Sequence, residues 1–377
     1  MKSRLNIIFY SIGSDIDSKS DSKGSAIRPR KIYDALLAQG HKITLIDGDI
    51  RKRKRQIALI KSAISHGEHY DFMYVENSNK PNTLTGRFPW LQNFFVDYSF
   101  FKLLHKHAVK IGVFYRDIYW RYDIYWAMLP FFIAVFAKPF YYWDLLTYKK
   151  YASHLFLPSN KMFNCFPPFF QKRHSELPPG TSNLGKISLR DKPKNLQILY
   201  VGGISKPLYD ISEAISVIGS INDCSLTICC RESEWKEWSR EYDIPNNVNV
   251  VHESGVGLHS LYDQHHLFLN FRKAHPYLDF CMPVKIFEAI SFKLPIITNA
   301  NNSVADLVEK YDIGWLIGNA SQLSEIIECL VADRSESYKK YENLDFALKD
   351  NTWNIRASRI IEILAVDHRE RAIATQK

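Results

Sequence analysis

Apolar positions recur along the chain in two patterns, short buried runs typical of strands and longer segments with the three-to-four-residue spacing of amphipathic helices. The predicted strands are 5–10, 42–46, 72–76, 110–115 and 155–158, then 196–201, 225–230, 248–251, 267–270, 296–299 and 314–317. The predicted helices are 27–39, 53–65, 96–107, 211–218, 258–262, 282–293, 303–311, 320–332 and 354–365. Strands that alternate with helices predict α/β domains, in which a parallel sheet is covered by helices on both faces.

The segment 178–195, PPGTSNLGKISLRDKPKN, interrupts this alternation with Pro, Gly, Ser and Lys. Such a composition is typical of a linker between domains. The sequence therefore predicts a first Rossmann-like domain in residues 1–182 and a linker in 183–195. A second such domain follows in 196–350, and 351–377 hold a C-terminal helix and tail.

The segment 116–146 is crowded with Tyr, Trp and Phe and contains Pro130 and Pro139. It is either a pair of core-packed helices or an amphipathic surface in a membrane interface, where aromatic and basic side chains are favoured. Its apolar run, 126–137, is interrupted by Pro130 and is shorter than the ~20 residues needed to span a bilayer. We therefore expect a soluble or peripheral protein.

The net charge of +9 favours partners that carry phosphates, which include nucleic acid, anionic lipid and diphosphate-bearing small molecules. The densest basic run, RKRKR at 51–55, is interpreted as a solvated loop or helix start, or as a contact with an anionic membrane. No nucleic-acid motif accompanies it, so no nucleic-acid partner is expected. The six cysteines form no C-x-x-C pair, which indicates reduced thiols in a cytoplasmic protein.

Gly202 and Gly203 end the predicted strand 196–201. Ligands of doubly wound domains bind at the carboxyl ends of the strands, and glycines let backbone N–H groups approach a phosphate. A tight turn without a ligand is the alternative. The segment lacks the G-x-G-x-x-G fingerprint and the later acidic residue of nicotinamide-binding domains, and the chain has no Walker-type phosphate loop.

The segment PVKIFEAISFKLPII, 283–297, places two charges on one face of a predicted helix. The buried stripe of that helix comprises Ile286, Phe287, Ala289 and Ile290. Lys285 and Glu288 lie one turn apart on the remaining face, near a helix N-terminus that favours anions. Lys285 supplies a cation for a diphosphate, and Glu288 supplies acceptors for the two hydroxyls of a ribose. The alternative is a surface ion pair worth ~0.2–0.5 kcal/mol.

This segment, with Asp306-Leu-Val-Glu and Ile313-Gly-Trp-Leu after it, resembles the nucleotide-sugar half of GT-B fold glycosyltransferases. It is most similar to family 4 (group 1) enzymes of bacterial surface-polysaccharide synthesis. The resemblance implies two doubly wound domains facing each other across a cleft, with the last helix crossing back to the first domain. It also implies Lys285 at the diphosphate and Glu288 at the ribose of a UDP- or GDP-sugar, with no cofactor and no essential metal.

The resemblance extends the expected donor-binding set to residues at other strand ends: Gly13, Gly202, Gly203, Lys206, Arg231, Glu253 and Arg272. The family's second Glu is replaced by Phe280, and the adjacent Asp279 is a partial substitute. The family's Arg and Lys after the Gly-Gly turn are reduced to Lys206, so Arg272 or Arg231 supplies the missing charge. Asp15 and Asp17 imitate a D-x-D metal motif of a different fold, and we interpret them as a false match.

Asp117 follows the predicted strand 110–115 in the domain expected to bind the acceptor. A carboxylate at such a strand end can act as general base toward an acceptor hydroxyl. Alternatively, Asp117 caps the next helix or pairs with Arg116 or Arg121. Glu76, at the end of the neighbouring strand, is the second candidate. Arg28 and Arg30 begin a helix and face either the cleft or solvent.

The sequence thus predicts a Leloir-type, hexosyltransferase-like enzyme that moves a sugar from a nucleoside-diphosphate sugar to a hydroxyl of a lipid-linked or oligosaccharide acceptor. We expect it in the cytoplasm, in contact with the inner face of an anionic membrane. Two alternatives stay open. One is a GT-B fold nucleotide-sugar epimerase, and the other is a catalytically silent partner of another glycosyltransferase, which the replacement at Phe280 suggests.

Overall fold

The computed structural model describes residues 4–13, 15–16, 24–85, 94–182 and 194–365. The chain divides into two compact units, of which the first comprises residues up to Pro178 together with those from Trp353 onward. The second unit runs from Pro179 to Thr352. Most of the predicted linker, 183–193, lies outside the described residues.

The first unit contains a parallel sheet of six strands in the order β2-β1-β3-β4-β5-β6. Its strands are β1 (Asn6–Ser11), β2 (Lys42–Ile46), β3 (Phe72–Glu76), β4 (Lys110–Phe114), β5 (His154–Leu157) and β6 (His174–Glu176). Its helices before the second unit are α1 (Gly24–Ala38), α2 (Ile50–Ser65), α3 (Val96–Lys106), α4 (Ile124–Met128) and α5 (Phe131–Tyr151). The strand order reverses between β1 and β3, and such a reversal is where doubly wound sheets bind ligands.

The second unit contains another parallel six-stranded sheet, in the order β12-β11-β10-β7-β8-β9. Its strands are β7 (Leu196–Val201), β8 (Cys224–Cys229), β9 (Val248–Val251), β10 (Leu267–Asn270), β11 (Ile296–Asn299) and β12 (Gly314–Ile317). Its helices are α6 (Ser212–Gly219), α7 (Glu232–Trp238), α8 (Gly255–Gln264), α9 (Val284–Ser291), α10 (Ser303–Tyr311), α11 (Ala320–Ala332) and α12 (Ser335–Asp350). Here the order reverses between β7 and β10.

The last helix, α13 (Trp353–Leu364), packs on the sheet of the first unit. Gly112 of β4 makes this packing possible, because a Cβ there would lie 2.5 Å from Leu364 Cδ1 and 2.8 Å from the Phe156 ring. Those distances are too short for any side chain.

Adjacent residues of β1 show which helices cover which face of the first sheet, since successive side chains of a strand point in opposite directions. Phe9 packs with α1 and α13 in one apolar core. Tyr10 contacts Phe100 and Phe101 of α3 and lies against Arg53 of α2. Tyr148 of α5 packs on Phe101. One face is therefore covered by α1 and α13, and the other by α2, α3 and α5.

The basic run 51–55 is the start of α2, and its middle residue is not solvated. Arg53 is fully buried, on the same helix face as Ile50, Ile57 and Ile60. Its guanidinium donates to the Tyr10 hydroxyl (2.8 Å), the Asn82 carbonyl (2.9 Å) and the Thr85 hydroxyl (2.5 Å), and it pairs with Asp97 at 3.4 Å. The run is a helix start, as one interpretation had it, but the expectation that it is solvated is wrong at Arg53.

The aromatic segment 116–146 forms a single turn of 3-10 helix, α4 and most of α5. One side of α5 is core, with Tyr141, Leu145 and Tyr148 buried. The other side exposes large apolar side chains, most of all in the first two turns. Across the described ranges, no helix combines the length and the apolar character needed to cross a membrane.

Candidate functional site

The predicted donor-binding residues of the second unit lie at one edge of its sheet. Gly202 and Gly203 follow β7, Arg231 follows β8, Glu253 follows β9 and Arg272 follows β10. Helix α9, which carries Lys285 and Glu288, is the next regular element after β10. In a parallel sheet these carboxyl ends meet at the same edge, where doubly wound domains bind their ligands.

Lys285 and Glu288 form a partly buried pair with a third member. Lys285 Nζ lies 2.9 Å from Glu288 Oε2, and the two side chains are only 28% and 23% exposed. The buried hydroxyl of Tyr262, on α8, donates to the same Oε2 at 3.0 Å. Burial, followed by the charge of Glu288, raises the pKa of Tyr262 well above its usual value, so the phenol stays a donor. The carboxylate is thus oriented by two donors on one oxygen, and neither of these bonds uses Oε1.

The helix that carries the pair has the predicted buried stripe, to which the structure adds Ser291. Its N-cap, Pro283, makes no side-chain capping bond. Lys285 lies in the first turn, where backbone N–H groups have no helical acceptor and the helix dipole is positive. The start of α9 therefore combines a side-chain cation with backbone donors suited to an anion.

Glu253 lies beside Cys229, whose thiol donates to the Glu253 backbone carbonyl at 3.5 Å. Burial raises the pKa of this thiol. The Glu253 side chain is exposed and lies against α8, where a Cβ on Gly257 would be 2.0 Å from its Oε2. Glu253 is therefore exposed at this edge, and its place near the base of a nucleotide stays a prediction.

The Gly-Gly turn is held by a residue that sequence reasoning missed, Glu234 of α7. Its Oε1 accepts hydrogen bonds from the backbone N–H of Ile204 (2.9 Å) and of Ser205 (3.1 Å). A Cβ on Gly203 would lie 3.0 Å from the same oxygen. A carboxylate thus occupies two consecutive amide donors after β7, and Gly203 gives it the room to do so.

Arg272 reaches this turn from β10. Its guanidinium lies over the ring of Tyr209, 5.4 Å from the centroid, and that ring is 3.6 Å from a Cβ built on Gly203. Its backbone N–H donates to the Asn299 side chain at 2.7 Å, which joins the ends of β10 and β11. Arg272 is therefore the cation that the structure places beside the Gly-Gly turn.

The other two predicted cations lie elsewhere. Lys206 turns away toward Glu241, where its Nζ donates to the backbone carbonyl at 3.0 Å and lies 3.9 Å from the carboxylate. It also lies over the ring of Tyr242 at 5.0 Å. Arg231 precedes α7 with an exposed side chain. Lys206 is thus engaged by Glu241, a contact that no spacing along the chain predicts, and it does not join the Lys285–Glu288 group.

A pocket lies at the ends of β10, β11 and β12. Its lining includes Arg272, His275, Asp279, Pro283 and Asn302. Asp279 is exposed there, whereas Phe280 is buried against Tyr277. The carboxylate that lines this pocket is therefore that of Asp279, one residue before the position at which the resemblance expects a Glu.

In the first unit, Gly13 lines a second pocket, of about 620 Å³, at the reversal point of that sheet. Gly13 has φ +76°, a conformation that glycine adopts without strain, and a Cβ there would be 3.3 Å from Ser78 Oγ and Thr85 Cγ2. Lys52 lines the pocket and pairs with Asp15 (3.0 Å) and Asp47 (2.7 Å). Asp15 is thus part of an ion pair, and Asp17 of the D-x-D sequence lies outside the described residues.

The two candidate bases have different surroundings. Glu76 is fully buried, where its Oε1 accepts from Arg28 (3.1 Å) and from the Tyr74 hydroxyl (2.7 Å), and Arg116 lies 3.8 Å from its Oε2. It is the counter-ion of a buried arginine, so its geometry does not favour proton transfer with a ligand. Arg28 accordingly faces the core, while the exposed Arg30 pairs with Asp34.

Asp117 is half-buried, and its Oδ1 accepts the backbone N–H of Tyr119 at 3.0 Å. The turn-capping alternative is therefore present in the structure. Burial lowers the pKa of the adjacent Arg116. Asp117 is partly exposed just after β4, whereas Glu76 is buried at the end of β3, so Asp117 is the better placed of the two carboxylates.

Glu234→Ala is expected to lower the free energy of unfolding by about 1–3 kcal/mol, because it leaves two amide donors of the Gly-Gly turn without their acceptor. Glu234→Gln retains an acceptor oxygen and should recover most of this loss. Glu232→Ala, which changes an exposed residue of the same helix, is the control. Urea titration of the three variants measures the effect. Equal stability of the two alanine variants would contradict the assigned role.

Comparison with known proteins identifies a family to which part of the chain is similar. Residues 186–345, all within the range of the second unit, match the model of the family described as glycosyl transferases group 1. The second unit is a group 1 glycosyltransferase domain. A comparison with curated protein sequences finds no match.

Solved structures show the same fold over the whole chain. WaaG, a glycosyltransferase involved in lipopolysaccharide biosynthesis, is 14% identical with a TM-score of 0.59, covering 96% of this chain and all of WaaG. HepE from Anabaena, solved with UDP and glucose, is 13% identical with a TM-score of 0.60, covering 97% and 100%. The α,α-trehalose 6-phosphate synthase from Burkholderia multivorans is 11% identical with a TM-score of 0.56, covering 99% and 100%.

The predicted fold is therefore confirmed. The two parallel sheets with their helices match the GT-B structures, and the group 1 domain includes the Lys285–Glu288 pair and the Gly-Gly turn. The predicted glycosyltransferase family is confirmed with it. The roles of the individual residues remain predictions.

Proposed function

We propose that this protein transfers a sugar from a nucleoside-diphosphate sugar to a hydroxyl of a glycan acceptor, in the synthesis of a polysaccharide or glycoconjugate. The observation that carries the proposal is the Lys285–Glu288–Tyr262 group at the carboxyl edge of the group 1 domain. A surface ion pair forms without a buried partner, whereas here the buried Tyr262 hydroxyl orients the Glu288 carboxylate. Structural neighbours solved with UDP-glucose and with glucose-6-phosphate support a sugar donor and a sugar acceptor.

The donor roles follow from the chemistry of each group. Glu288 accepts hydrogen bonds from both hydroxyls of the ribose, while Tyr262 and Lys285 hold its carboxylate in place. Lys285, Arg272 and the start of α9 stabilise the negative charge that grows on the diphosphate as the sugar leaves. Gly202 and Gly203 keep the chain after β7 free of side chains. Asp279 contacts the transferred sugar in place of the Glu that the family has at position 280.

These cations and helix donors supply the charge that a metal ion supplies in other nucleotide-sugar sites, so we propose that no metal is essential. Activity that survives excess EDTA would agree with this. UDP and GDP are the proposed carriers, and HepE, solved with UDP-glucose, favours UDP.

The first unit is proposed to bind the acceptor, with Asp117 as the general base that takes the proton of the attacking hydroxyl. We also propose a lipid-linked acceptor and a cytoplasmic location at the membrane surface. All six cysteines are free thiols, which agrees with a reducing compartment. The apolar surface of α4 and α5 supports the membrane contact.

The test of the function is a panel of UDP-, GDP-, ADP-, TDP- and CDP-sugars, read by thermal stabilisation and by release of the nucleoside diphosphate. A donor at ~100 times its dissociation constant adds ~2.7 kcal/mol of stability. Stabilisation by sugars of one base, with release of that diphosphate, is the expected result. No stabilisation by any of them would favour a catalytically silent partner, and interconversion of the sugar without release would favour an epimerase.

Asp117→Asn is expected to lower the rate of transfer about 10²–10⁴-fold and to leave donor binding unchanged. The amide keeps an oxygen that can accept the Tyr119 N–H, so the turn is retained while the base is lost. Asp123→Asn, at the N-cap of α4, is the matched control. Unaltered transfer by Asp117→Asn, measured in single turnover, would assign this residue to the turn alone.

A further inference from the structure

The first unit exposes a continuous apolar surface at the junction of α4 and α5. Residues 124–137 include no charged side chain. We call the large exposed side chains of this stretch the apolar tip: Trp126, Met128, Phe131, Phe132, Ile133, Val135 and Phe136. Phe132 is 84% exposed. The rings of Trp126 and Phe131 lie 6.0 Å apart, and those of Phe131 and Phe132 lie 5.9 Å apart.

The packing of α5 shows that this exposure is built into the helix. In its first two turns the core-facing positions hold Ala134 and Ala137, while the larger side chains point outward. Tyr125 fixes the turn into α5 through a hydrogen bond from its hydroxyl to the Ala134 carbonyl at 2.7 Å. A helix adapted to water places its large apolar residues on the core side. A contiguous exposed patch, unlike scattered residues, indicates a surface that is covered in use.

The charges on the same face of the sheet have one sign. The exposed charged residues of α2, α3 and α5 are all basic: Arg51, Lys54, Arg55, Lys61, Lys102, Lys106, Lys149 and Lys150. The acidic residues of these helices, Asp97 and Asp144, are buried. On the other face, α1 and α13 carry exposed acids that pair with arginines, Arg30–Asp34 and Arg359–Glu362.

We propose that the apolar tip inserts into the interface of an anionic lipid bilayer, with the basic residues of α2, α3 and α5 against the headgroups. The inference deepens the membrane contact proposed above and names its surface and its lipid class. Aromatic and aliphatic side chains beside cations are the composition of interfacial helices. Lys138 lies 4.6 Å from the Trp126 ring, where its stem can lie along the tip while the ammonium reaches the headgroups.

A second copy is the main competing occupant. In a two-fold interface the same patch meets itself, so the basic residues on this face of the sheet would approach those of the other copy and repel them. An anionic bilayer instead complements both features.

The experiment uses the full chain with vesicles of phosphatidylcholine alone and of phosphatidylcholine with about 30% phosphatidylglycerol, whose charge gives the surface a negative potential. Flotation should recover the wild type with anionic vesicles and much less with neutral ones, and high salt should weaken the binding. The double variant Phe131→Glu with Phe132→Glu should bind at least about tenfold more weakly, since it places two charges in the apolar region. Phe346→Glu is the matched control, because Phe346 on α12 is 65% exposed, as Phe131 is.

The double variant Lys54→Glu with Arg55→Glu tests the contribution of charge. It should weaken binding to anionic vesicles about tenfold or more and leave the weak binding to neutral vesicles unchanged. No flotation of the wild type, or equal flotation of the Phe131/Phe132 double variant, would overturn the proposal. The proposal would also be overturned if the wild type sedimented as a dimer and the Phe131/Phe132 double variant as a monomer, because a second copy would then cover the apolar tip. Stabilisation by the donor panel should persist in every variant, so a failure of the donor site is distinguished from a failure of the surface.

Discussion

Arg53→Met is expected to destabilise the first unit by about 3–5 kcal/mol, the cost of removing one partner from a buried charged pair. The substitution leaves Asp97 buried without its cation and takes a donor from Tyr10, Thr85 and the Asn82 carbonyl. Methionine fills a similar volume, so the effect comes from lost polar contacts and not from a cavity. Urea titration of the intact chain, followed by circular dichroism, measures it.

Arg55→Met is the control, since Arg55 is exposed two residues away in α2, where surface changes stay within about 0.5 kcal/mol. The double variant Arg53→Met with Asp97→Leu should regain part of the stability, because no unpaired charge then remains in the core. If Arg53→Met unfolds at the same urea concentration as Arg55→Met, the buried network contributes nothing to stability and the interpretation is wrong.

Glu288→Ala is expected to weaken donor binding by a factor of at least about 100. A hydrogen bond to a charged group contributes about 1.5–3 kcal/mol, and the carboxylate is proposed to make two with the ribose. Tyr262→Phe, which removes only the bond that orients the carboxylate, should produce a smaller loss. Calorimetric titration with the nucleoside diphosphate found by the panel gives both values.

Glu309→Ala, on the exposed side of α10, is the matched control and should bind like the wild type. Lys285→Ala separates the two halves of the proposal, because it should lower the affinity for the diphosphate far more than that for the monophosphate. If Glu288→Ala bound the nucleoside diphosphate with wild-type affinity, Lys285 and Glu288 would be an ordinary surface ion pair.

The alternation of strands and helices was readable from the sequence because the central strands are buried runs and most helices bury a regular stripe. Three strands or α-helices of the described residues were missed, and they lack those signals. β6 is three residues long and polar, and α7 has no buried residue that would set a period. The buried side of α12 includes Ser337 and Lys340, so its stripe reads as polar.

At the candidate site, the sequence indicated what is local and missed what the fold brings from a distance. Lys285 and Glu288 are neighbours on one helix turn, so their pairing followed from their spacing. Tyr262 and Glu234 come from α8 and α7, and no spacing connects them with the residues they contact. Arg53 is an instructive case, since its position between Ile50 and Ile57 already placed it on the buried face of α2.

The roles of charged residues at strand ends were also only partly predictable from the sequence. A charge after a parallel strand suggested a ligand contact, yet Glu76 is the partner of Arg28 and Lys206 is held by Glu241. Both partners lie more than thirty residues away along the chain. The position of a strand end was therefore predictable, whereas the direction of its side chain depended on elements that only the tertiary structure brings near.

The most direct test of the central claim, that Glu288 holds the ribose of a nucleotide donor, is a binding cycle with two ligands and two proteins. Calorimetry compares the preferred nucleoside diphosphate with its 2′,3′-dideoxy analogue, for the wild type and for Glu288→Ala. The wild type should prefer the ribonucleotide by a factor of about 100, and the variant should bind both ligands equally weakly. If the variant retains the wild-type preference, Glu288 does not contact the ribose and the donor site lies elsewhere in the domain.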